Sequence, residues 1–276
     1  MTRLPNRIGA LCAALSLLAA TAAAAQQARP IARPPAQPAA SPAATRPAAV
    51  ARPRAAPAAR PRPRPLTREQ VREAAASAGG RRIIISLDER RLWSMDNGDT
   101  LYSAPIAVGK GTELSFGSAR WNFTTPFGVR RVQSKETNPV WTPPDWHYVE
   151  LARDSSWQIV RLQRGRPVTL PDRSRLEVRG ERIGRVVGGR WEPIPADDEV
   201  IYGDTLFIPP LGTANRRVEG ELGAFKLALG DGYMIHGTPH QESIGQAATH
   251  GCIRMADADI SYIYHTVPVR TPVYIY

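Results

Sequence analysis

The residues best suited to chemistry stand together in the stretch 233–255. It contains Cys252 and the histidines His236, His240 and His250, which are three of the five histidines in the chain. A thiol can be a nucleophile, a metal ligand, half of a disulfide or a buried filler, and a nearby imidazole can take its proton. We therefore treat this stretch as the candidate site and weigh these alternatives.

A disulfide at Cys252 would need Cys12, the other cysteine of the chain. Residues 1–25 have two early arginines, an apolar run at 8–20 and small residues at the end, which is typical of a secretory signal peptide. The apolar run is short for a membrane span, so a retained anchor is the less favoured alternative. We predict cleavage after Ala25, which leaves an exported protein with one cysteine.

Unpaired thiols in exported proteins tend to be lost unless they are buried or chemically useful. The alternative to a reactive thiol is a buried structural cysteine. The neighbours Thr249, His250, Gly251 and Arg254 are not typical of an apolar core. The sequence therefore favours a chemically useful Cys252.

Residues 26–66 consist almost entirely of Ala, Pro, Arg, Gln, Ser and Thr, without an acidic residue. This composition predicts an extended, disordered tether. Ten arginines lie in the first 66 residues, and subtracting them from the net charge of +11 leaves about +1 for residues 67–276. A basic tail could contact nucleic acid, anionic lipid or an acidic wall polymer, and export disfavours nucleic acid.

Residues 67–80 are predicted to form a short lead-in helix. Thr67 and Gln70 have the spacing of a capping box, and Gly79-Gly80 is a stop signal.

Short runs of branched and aromatic residues after residue 80 predict strands. The clearest are residues 82–87, 91–95, 100–108, 176–187 and 191–194. Asn97-Gly98 predicts a hairpin turn, and within 81–276 only residues 257–265 have a convincing helical pattern. The sequence predicts one mainly β domain, a sandwich or distorted barrel with one or two short helices.

The last predicted hairpin pairs residues 224–229 with 233–236. Its second strand ends at His236, and the loop 239–250 returns the chain to Cys252. This arrangement can bring the imidazole and the thiol within hydrogen-bond distance, as a nucleophile and its base require.

A zinc site could be built from His236, His240, His250 and Cys252. Gly237 and Pro239 separate the first two histidines and prevent the helix that would put them on one face. We therefore predict neither a metal nor a cofactor.

The sequence His236-Gly237-Thr238, followed by Thr-His-Gly-Cys-Ile-Arg at 249–254, resembles the signature of the L,D-transpeptidase catalytic domain, also called the YkuD domain. The resemblance extends to residues 83–109, 138–144 and 208–212. It implies an L,D-transpeptidase-like fold over residues 81–276.

Two segments depart from the family pattern. The element at 125–130 ends in Arg130 where the family usually has an aromatic residue. Residues 151–205 exceed what the family core needs, and we predict a β-rich insertion there. It could be a surface for substrate or partner, or a decorative hairpin.

The resemblance implies that Cys252 is the nucleophile and His236 its general base. The Gly237 carbonyl would orient the imidazole, and backbone N–H groups around Gly251 and Cys252 would form an oxyanion hole.

The resemblance also implies a substrate-binding side formed by Arg254, His250 and Thr249. Arg254 is a candidate clamp for a stem-peptide carboxylate, the alternative being an ion pair with Asp257 or Asp259. His250 is expected beside the substrate, with the role of main base as its alternative.

The implied reaction is acyl transfer on peptidoglycan tetrapeptide stems in cell wall biogenesis, in the periplasm or cell-wall compartment. A thioester on Cys252 would pass to an amine of a second stem, giving a 3-3 cross-link, or to an anchored envelope protein. Water as acceptor would make the protein an L,D-carboxypeptidase. A catalytically silent wall-binding module is the remaining alternative. We expect no nucleic-acid partner and no membrane span after signal cleavage.

Overall fold

The computed structural model describes residues 65–196 and 198–276. The predicted signal peptide (1–25) and nearly all of the predicted tether (26–66) lie outside these residues.

Two of the three α-helices in the described residues were expected from the sequence. They are α1 (Arg68–Ser77) and α3 (Asp257–Thr266). The predicted capping box is present, because the N–H of Gln70 donates to Thr67 Oγ1 and the N–H of Thr67 donates to Gln70 Oε1. These bonds satisfy backbone donors that the first turn of a helix leaves free.

The helix α2 (Asp145–Asp154) corrects the expectation that only residues 257–265 are helical within the domain. The resemblance at 138–144 is to a loop of the family, and this segment ends in Pro143-Pro144. Proline is nevertheless compatible with a helix start, and Pro144 is the N-terminal flanking residue of α2. The helix buries Tyr148, Val149 and Ala152 on one side. This spacing is helical, so the pattern was present in the sequence.

The rest of the described chain is mostly short strands. They are β1 (Arg81–Ser86), β2 (Arg91–Asp96), β3 (Asp99–Pro105), β4 (Val108–Gly109), β5 (Glu113–Phe116), β6 (Ala119–Asn122), β7 (Gly128–Arg131), β8 (Ser134–Thr137), β9 (Gln158–Arg161), β10 (Val168–Thr169), β11 (Arg175–Arg179), β12 (Arg182–Val187), β13 (Arg190–Pro193), β14 (Ile201–Tyr202), β15 (Thr205–Ile208), β16 (Phe225–Gly230), β17 (Tyr233–His236), β18 (Ala247–Thr249), β19 (Ile253–Arg254) and β20 (Pro272–Ile275). Short 3-10 helices occur at Ala214–Arg216 and Gln241–Ser243.

Two sheets and α3 enclose the main core. The sheets have the strand orders β3-β2-β1-β20-β7 and β19-β17-β16-β8. Their buried apolar side chains form one cluster, which includes Ile83, Ile85, Leu92, Leu227, Ile235, Ile253, Ile260, Ile263, Val273 and Ile275. Burying each such side chain contributes roughly 1.5–3 kcal/mol. The prediction of a mainly β fold is confirmed.

Both predicted local hairpins are present. Asn97 adopts a positive φ of 50° in the turn between β2 and β3, as asparagine tolerates. β16 and β17 form the last hairpin, in which Lys226 lies opposite His236. The chain therefore reaches the candidate site on a strand held by neighbours on both sides.

A second group of strands falls mainly within the predicted insertion at 151–205. The four-stranded sheet β10-β11-β12-β13 has its own small core, and β9 pairs in parallel with β15. The predicted single run at 176–187 is wrong, because Gly180, with a φ of 57°, turns the chain between β11 and β12. α2 crosses the predicted start at residue 151, and the insertion itself stays a prediction.

No helix among the described residues is long and apolar enough to cross a membrane.

Candidate active site

The parallel pairing of β17 with β19 fixes the positions of the candidate catalytic residues. Ile235 is in register with Ile253, and His236 with Arg254. The two isoleucines are buried in the main core. Because side chains alternate along strands, His236 and Arg254 take the opposite face, and so does Cys252, two positions before Arg254. The register thus brings the predicted thiol, imidazole and guanidinium to one face of the sheet.

A pocket of about 250 Å³ lies over this face. It is lined by Trp141, Trp146, His147, Glu221, Leu222, Met234, His236, His240, Thr249, His250, Cys252 and Arg254. Its wall therefore combines aromatic side chains with titratable groups, as small-molecule sites commonly do.

His236 is buried, with 3% of its surface exposed. Its Nδ1 lies 2.6 Å from the carbonyl oxygen of Gly237, so Nδ1 carries the proton and donates it there. Burial lowers the pKa of His236 to about 4; the Gly237 carbonyl raises it, while Arg254 and Lys226 lower it. The imidazole is thus neutral at pH 7, with Nε2 as its free lone pair.

The backbone at Gly237 is supported by another glycine. A Cβ on Gly223 would lie 2.7 Å from the Cα of Gly237, and Gly223 has a φ of 64°. Both the close approach and the left-handed conformation require glycine at position 223. This contact holds the carbonyl that orients His236.

Cys252 is half-buried, and its thiol forms no disulfide within the part of the chain that the structure describes. Burial raises its pKa, against opposing effects of the Met234 backbone and the positive charge of Arg254. Sγ lies 4.0 Å from the carbonyl oxygen of Gly232, and among the described residues it makes no hydrogen bond with His236. The site therefore holds a neutral thiol and a neutral imidazole in one pocket.

The side chain of Thr249 stabilises the turn before Cys252 by two hydrogen bonds. The N–H of Gly251 donates to Thr249 Oγ1 at 3.2 Å, and that hydroxyl donates to the Cys252 carbonyl at 2.6 Å. Gly251 has a φ of 115°, which favours glycine. The Thr249 hydroxyl and the Gly251 N–H are thus engaged within the turn. The Cys252 N–H makes no hydrogen bond to the described residues.

Arg254 extends into the pocket with 16% of its side chain exposed. Its Nη2 lies 3.7 Å from Glu221 Oε1, and its buried Nε has no partner among the described residues. The expected alternative of an ion pair with Asp257 or Asp259 is wrong, because the acidic partner of Arg254 among the described residues is Glu221. Asp259 instead accepts a hydrogen bond from Tyr102 at 2.7 Å. The loose contact with Glu221 leaves guanidinium donors available.

His250 belongs to a network that sequence reasoning did not find. Its Nε2 lies 2.6 Å from Glu150 Oε2, and Lys110 Nζ donates to Glu150 Oε1 at 2.6 Å. Burial raises the pKa of Glu150, but the hydrogen bonds from Lys110 and His250 outweigh it and the net shift is downward. Burial lowers the pKa of His250, Glu150 raises it, and Lys110 and Arg254 lower it, with a net downward shift. Glu150 is therefore a carboxylate, and Nε2 of His250 donates to it.

The ring of His250 is fixed by aromatic neighbours. Trp146 stacks on it with ring centres 3.9 Å apart and an angle of 18°, and Phe123 meets it edge-on at 4.6 Å. Trp146 and Glu150 are four positions apart on α2 and so lie on one helix face. Recognising that helix would have pointed to this pair.

The start of α2 is anchored by Arg216, a buried arginine with 5% exposure. Its guanidinium donates to the carbonyls of Pro143 and Pro209, both at 2.8 Å, and to Asp145 at 2.6 Å. Arg216 therefore positions the helix that carries Trp146 and Glu150.

His240 lies at the edge of the pocket, 3.5 Å from Glu221 and 3.7 Å from Glu242. Within residues 65–196 and 198–276, no group of three or more His, Cys, Asp or Glu side chains is arranged to hold a metal ion.

Comparison with known proteins shows that the chain is similar to L,D-transpeptidases. The family model described as "YkuD: L,D-transpeptidase catalytic domain" matches residues 80–275. The chain is 26% identical over 193 residues to "Probable L,D-transpeptidase YbiS" of Escherichia coli K12, covering 69% of this chain and 43% of that relative. It is 39% identical over 57 residues to "Probable L,D-transpeptidase ErfK/SrfK" of the same strain, covering 21% and 18%. The chain thus spans less than half the length of these relatives.

A solved L,D-transpeptidase structure (residues 123–326) from Xylanimonas cellulosilytica is also similar. The sequence identity is 14%, the TM-score is 0.38, and the alignment covers 72% of this chain and 62% of that one.

Proposed function

The chain belongs to the L,D-transpeptidase catalytic domain family, and from this premise we propose that it is a cysteine-dependent acyltransferase acting on peptidoglycan stem peptides. The donor is a tetrapeptide stem, and the acyl group is carried as a thioester on Cys252. The acceptor is an amine, so the product is a 3-3 cross-link or an anchored envelope protein. The site of action is the periplasm or cell-wall compartment.

The shared sheet face of His236 and Cys252 is the observation that carries this proposal. The Gly237 carbonyl holds Nδ1–H of His236, which leaves Nε2 to accept the thiol proton. At neutral pH both groups are uncharged, since burial lowers the pKa of His236 to about 4 and raises that of the Cys252 thiol. Proton transfer therefore accompanies attack on the donor carbonyl and does not precede it.

In the first half-reaction Sγ of Cys252 bonds to the carbonyl carbon of the third stem residue. The thiol proton passes to His236 and from there to the nitrogen of the departing D-alanine as the C–N bond breaks. The Cys252 N–H is the donor that supports negative charge on the carbonyl oxygen, since the Gly251 N–H is engaged by Thr249.

Arg254 is the group that binds a stem carboxylate. Its guanidinium lies on the same sheet face as the thiol, and among residues 65–196 and 198–276 it has one ion-pair contact, with Glu221 at 3.7 Å. A planar guanidinium suits two-point binding of a carboxylate.

In the second half-reaction an amine attacks the thioester and Cys252 is released. Water in place of the amine would give the L,D-carboxypeptidase reaction. A silent wall-binding module is less compatible with the site, because His236 and Cys252 are both present in the pocket.

Incubation of the purified protein with a disaccharide tetrapeptide, followed by mass analysis of the products, tests the proposal. We expect a cross-linked dimer that has lost one D-alanine. A tripeptide without dimer would indicate hydrolysis as the main reaction. An unchanged substrate that still binds to isolated wall would contradict catalysis and favour the binding module. The Cys252→Ala variant is the matched control.

A further inference from the structure

Transfer to an ammonium acceptor requires the removal of two protons, and the thiol and His236 account for only one of them. A stem side-chain amine resembles lysine, whose ordinary pKa is about 10.4, so at pH 7 only about one molecule in a few thousand is unprotonated. An ammonium group must lose one proton to become a nucleophile and a second as it forms the amide. An acceptor that binds as the ammonium must therefore give up two protons in the site.

The pocket contains a second imidazole whose state is defined by its contacts. Nε2 of His250 donates to the Glu150 carboxylate at 2.6 Å. Nδ1 therefore carries the lone pair. Nδ1 makes no hydrogen bond to the described residues, and it is not buried. The ring lines the same pocket as His236 and Cys252.

The two imidazoles differ in the acceptor to which their N–H groups donate. His236 donates to a neutral carbonyl, whereas His250 donates to a carboxylate. A carboxylate stabilises the imidazolium that forms when the ring takes a proton, as the aspartate of a catalytic triad does. His250 is thus the better suited of the two to remove a proton from a cation before bond formation.

Groups on other elements set the charge around His250. Lys110, after β4, lies 3.1 Å from Nε2 and also bonds Glu150, while Arg254 on β19 and His147 on α2 interact with it electrostatically. The positive charges oppose protonation and Glu150 favours it. The net shift of the His250 pKa is downward, so the imidazole is neutral at pH 7 and can accept a proton.

We propose that His250 is the base that deprotonates the acceptor ammonium, with Glu150 as its positioning residue and Lys110 holding Glu150. This inference rests on the proposed function, because it assigns the handling of the acceptor in the second half-reaction. It adds that the acceptor is a cationic amine.

The acceptor ammonium gives one proton to Nδ1 of His250, which passes it to solvent. The free amine attacks the thioester carbon, the C–N bond forms and the C–S bond breaks. The second proton leaves the nitrogen through His236 and reaches Sγ, which restores the thiol. Water as acceptor needs only the second of these transfers.

The test measures how the acyl-enzyme formed from the tetrapeptide donor partitions between an amine and water as acceptors at pH 7. Two amines are compared: Nα-acetyl-lysine, which is protonated at this pH, and methoxyamine, which is not. The Glu150→Gln variant keeps the shape of the side chain and a hydrogen-bond acceptor but removes the charge. Glu181→Gln, at the exposed turn between β11 and β12, is the matched control.

We expect Glu150→Gln to lower the amide-to-hydrolysis product ratio with Nα-acetyl-lysine about tenfold or more, while the ratio with methoxyamine changes less than about threefold. His250→Gln should give the same selectivity, which provides a second variant if Glu150→Gln does not fold. Equal losses with both amines, or no loss with either, would overturn the inference. Absence of an acyl-enzyme in the wild type would instead contradict the proposed function.

Discussion

His236, at the end of β17, and Cys252, directly before the parallel strand β19, lie in one pocket, because His236 is in register with Arg254 and Cys252 lies two positions earlier. Ile235 and Ile253 hold this register from the opposite face, where both are buried. The core and the Thr249 turn therefore position the two groups together.

The protonation states of the pair predict the pH dependence of thiol alkylation. Because the pKa of Cys252 is raised and that of His236 is lowered to about 4, no imidazolium-thiolate pair forms at neutral pH. We expect the rate of iodoacetamide labelling of the wild type to rise into the alkaline range. A preformed ion pair would instead give a rate plateau beginning near pH 4.

The histidine variants separate the roles of the two imidazoles in the same experiment. His236→Ala should label more slowly near neutral pH and recover as pH rises, because the base that takes the thiol proton is missing. His250→Ala should retain more of the neutral rate. Identical profiles for the wild type and His236→Ala would remove His236 from its proposed role.

The buried His236 also predicts a dependence of stability on pH. Its pKa is about 4 when folded and about 6.5 when unfolded, so between these values the unfolded chain binds more protons. The free energy of unfolding should fall as pH drops from 6.5 to 4, by up to roughly 3 kcal/mol from this group.

Denaturant unfolding at several pH values measures this effect. His236→Gln should lose less stability on acidification than the wild type. His265→Gln, which replaces an exposed imidazole on α3, is the control and should behave as the wild type does. A wild-type slope retained in His236→Gln would contradict the assignment of the buried neutral imidazole.

Arg254 is predicted to act through the geometry of its guanidinium. Arg254→Lys keeps the charge but loses the planar donors, so kcat/KM for the tetrapeptide should fall about 10- to 100-fold, as for one charged hydrogen bond. The melting temperature should change little, since only a contact of 3.7 Å with Glu221 is affected. The exposed Arg217→Lys is the control. Unchanged kinetics with a sharp drop in melting temperature would indicate a structural role.

Arg216 is predicted to be a structural requirement for the site. Arg216→Met removes three donors from the buried contacts with Pro143, Pro209 and Asp145, and should destabilise the fold by about 3–5 kcal/mol. Arg217→Met, its exposed neighbour, should change stability by less than about 0.5 kcal/mol. Denaturant unfolding of both variants measures the difference. A small effect of Arg216→Met would contradict the anchoring of α2.

The sequence predicted the parts of the site that are local in the chain. His236, Gly237 and Cys252 lie near a strand end and a glycine turn, whose signals span only a few residues. Turn signals likewise identified the hairpin at Asn97-Gly98. These features need no knowledge of distant partners.

The network around His250 could not be predicted in the same way. Glu150 is 100 positions from His250 and 40 from Lys110, and their contacts arise only after folding. The two prolines before α2 also concealed the helix that carries Glu150. Arg254 illustrates a related limit, because its partner is Glu221 and not the nearby Asp257 or Asp259.

The proposed reaction requires a covalent thioester on Cys252, which intact-protein mass spectrometry can detect during turnover without an added amine. We expect the protein mass to increase by that of the donor less one D-alanine, with peptide mapping locating the acyl group on Cys252. The adduct should disappear on addition of an amine acceptor and should be absent from Cys252→Ala. Product formation by Cys252→Ala, or an acyl group on another residue of the wild type, would contradict the account.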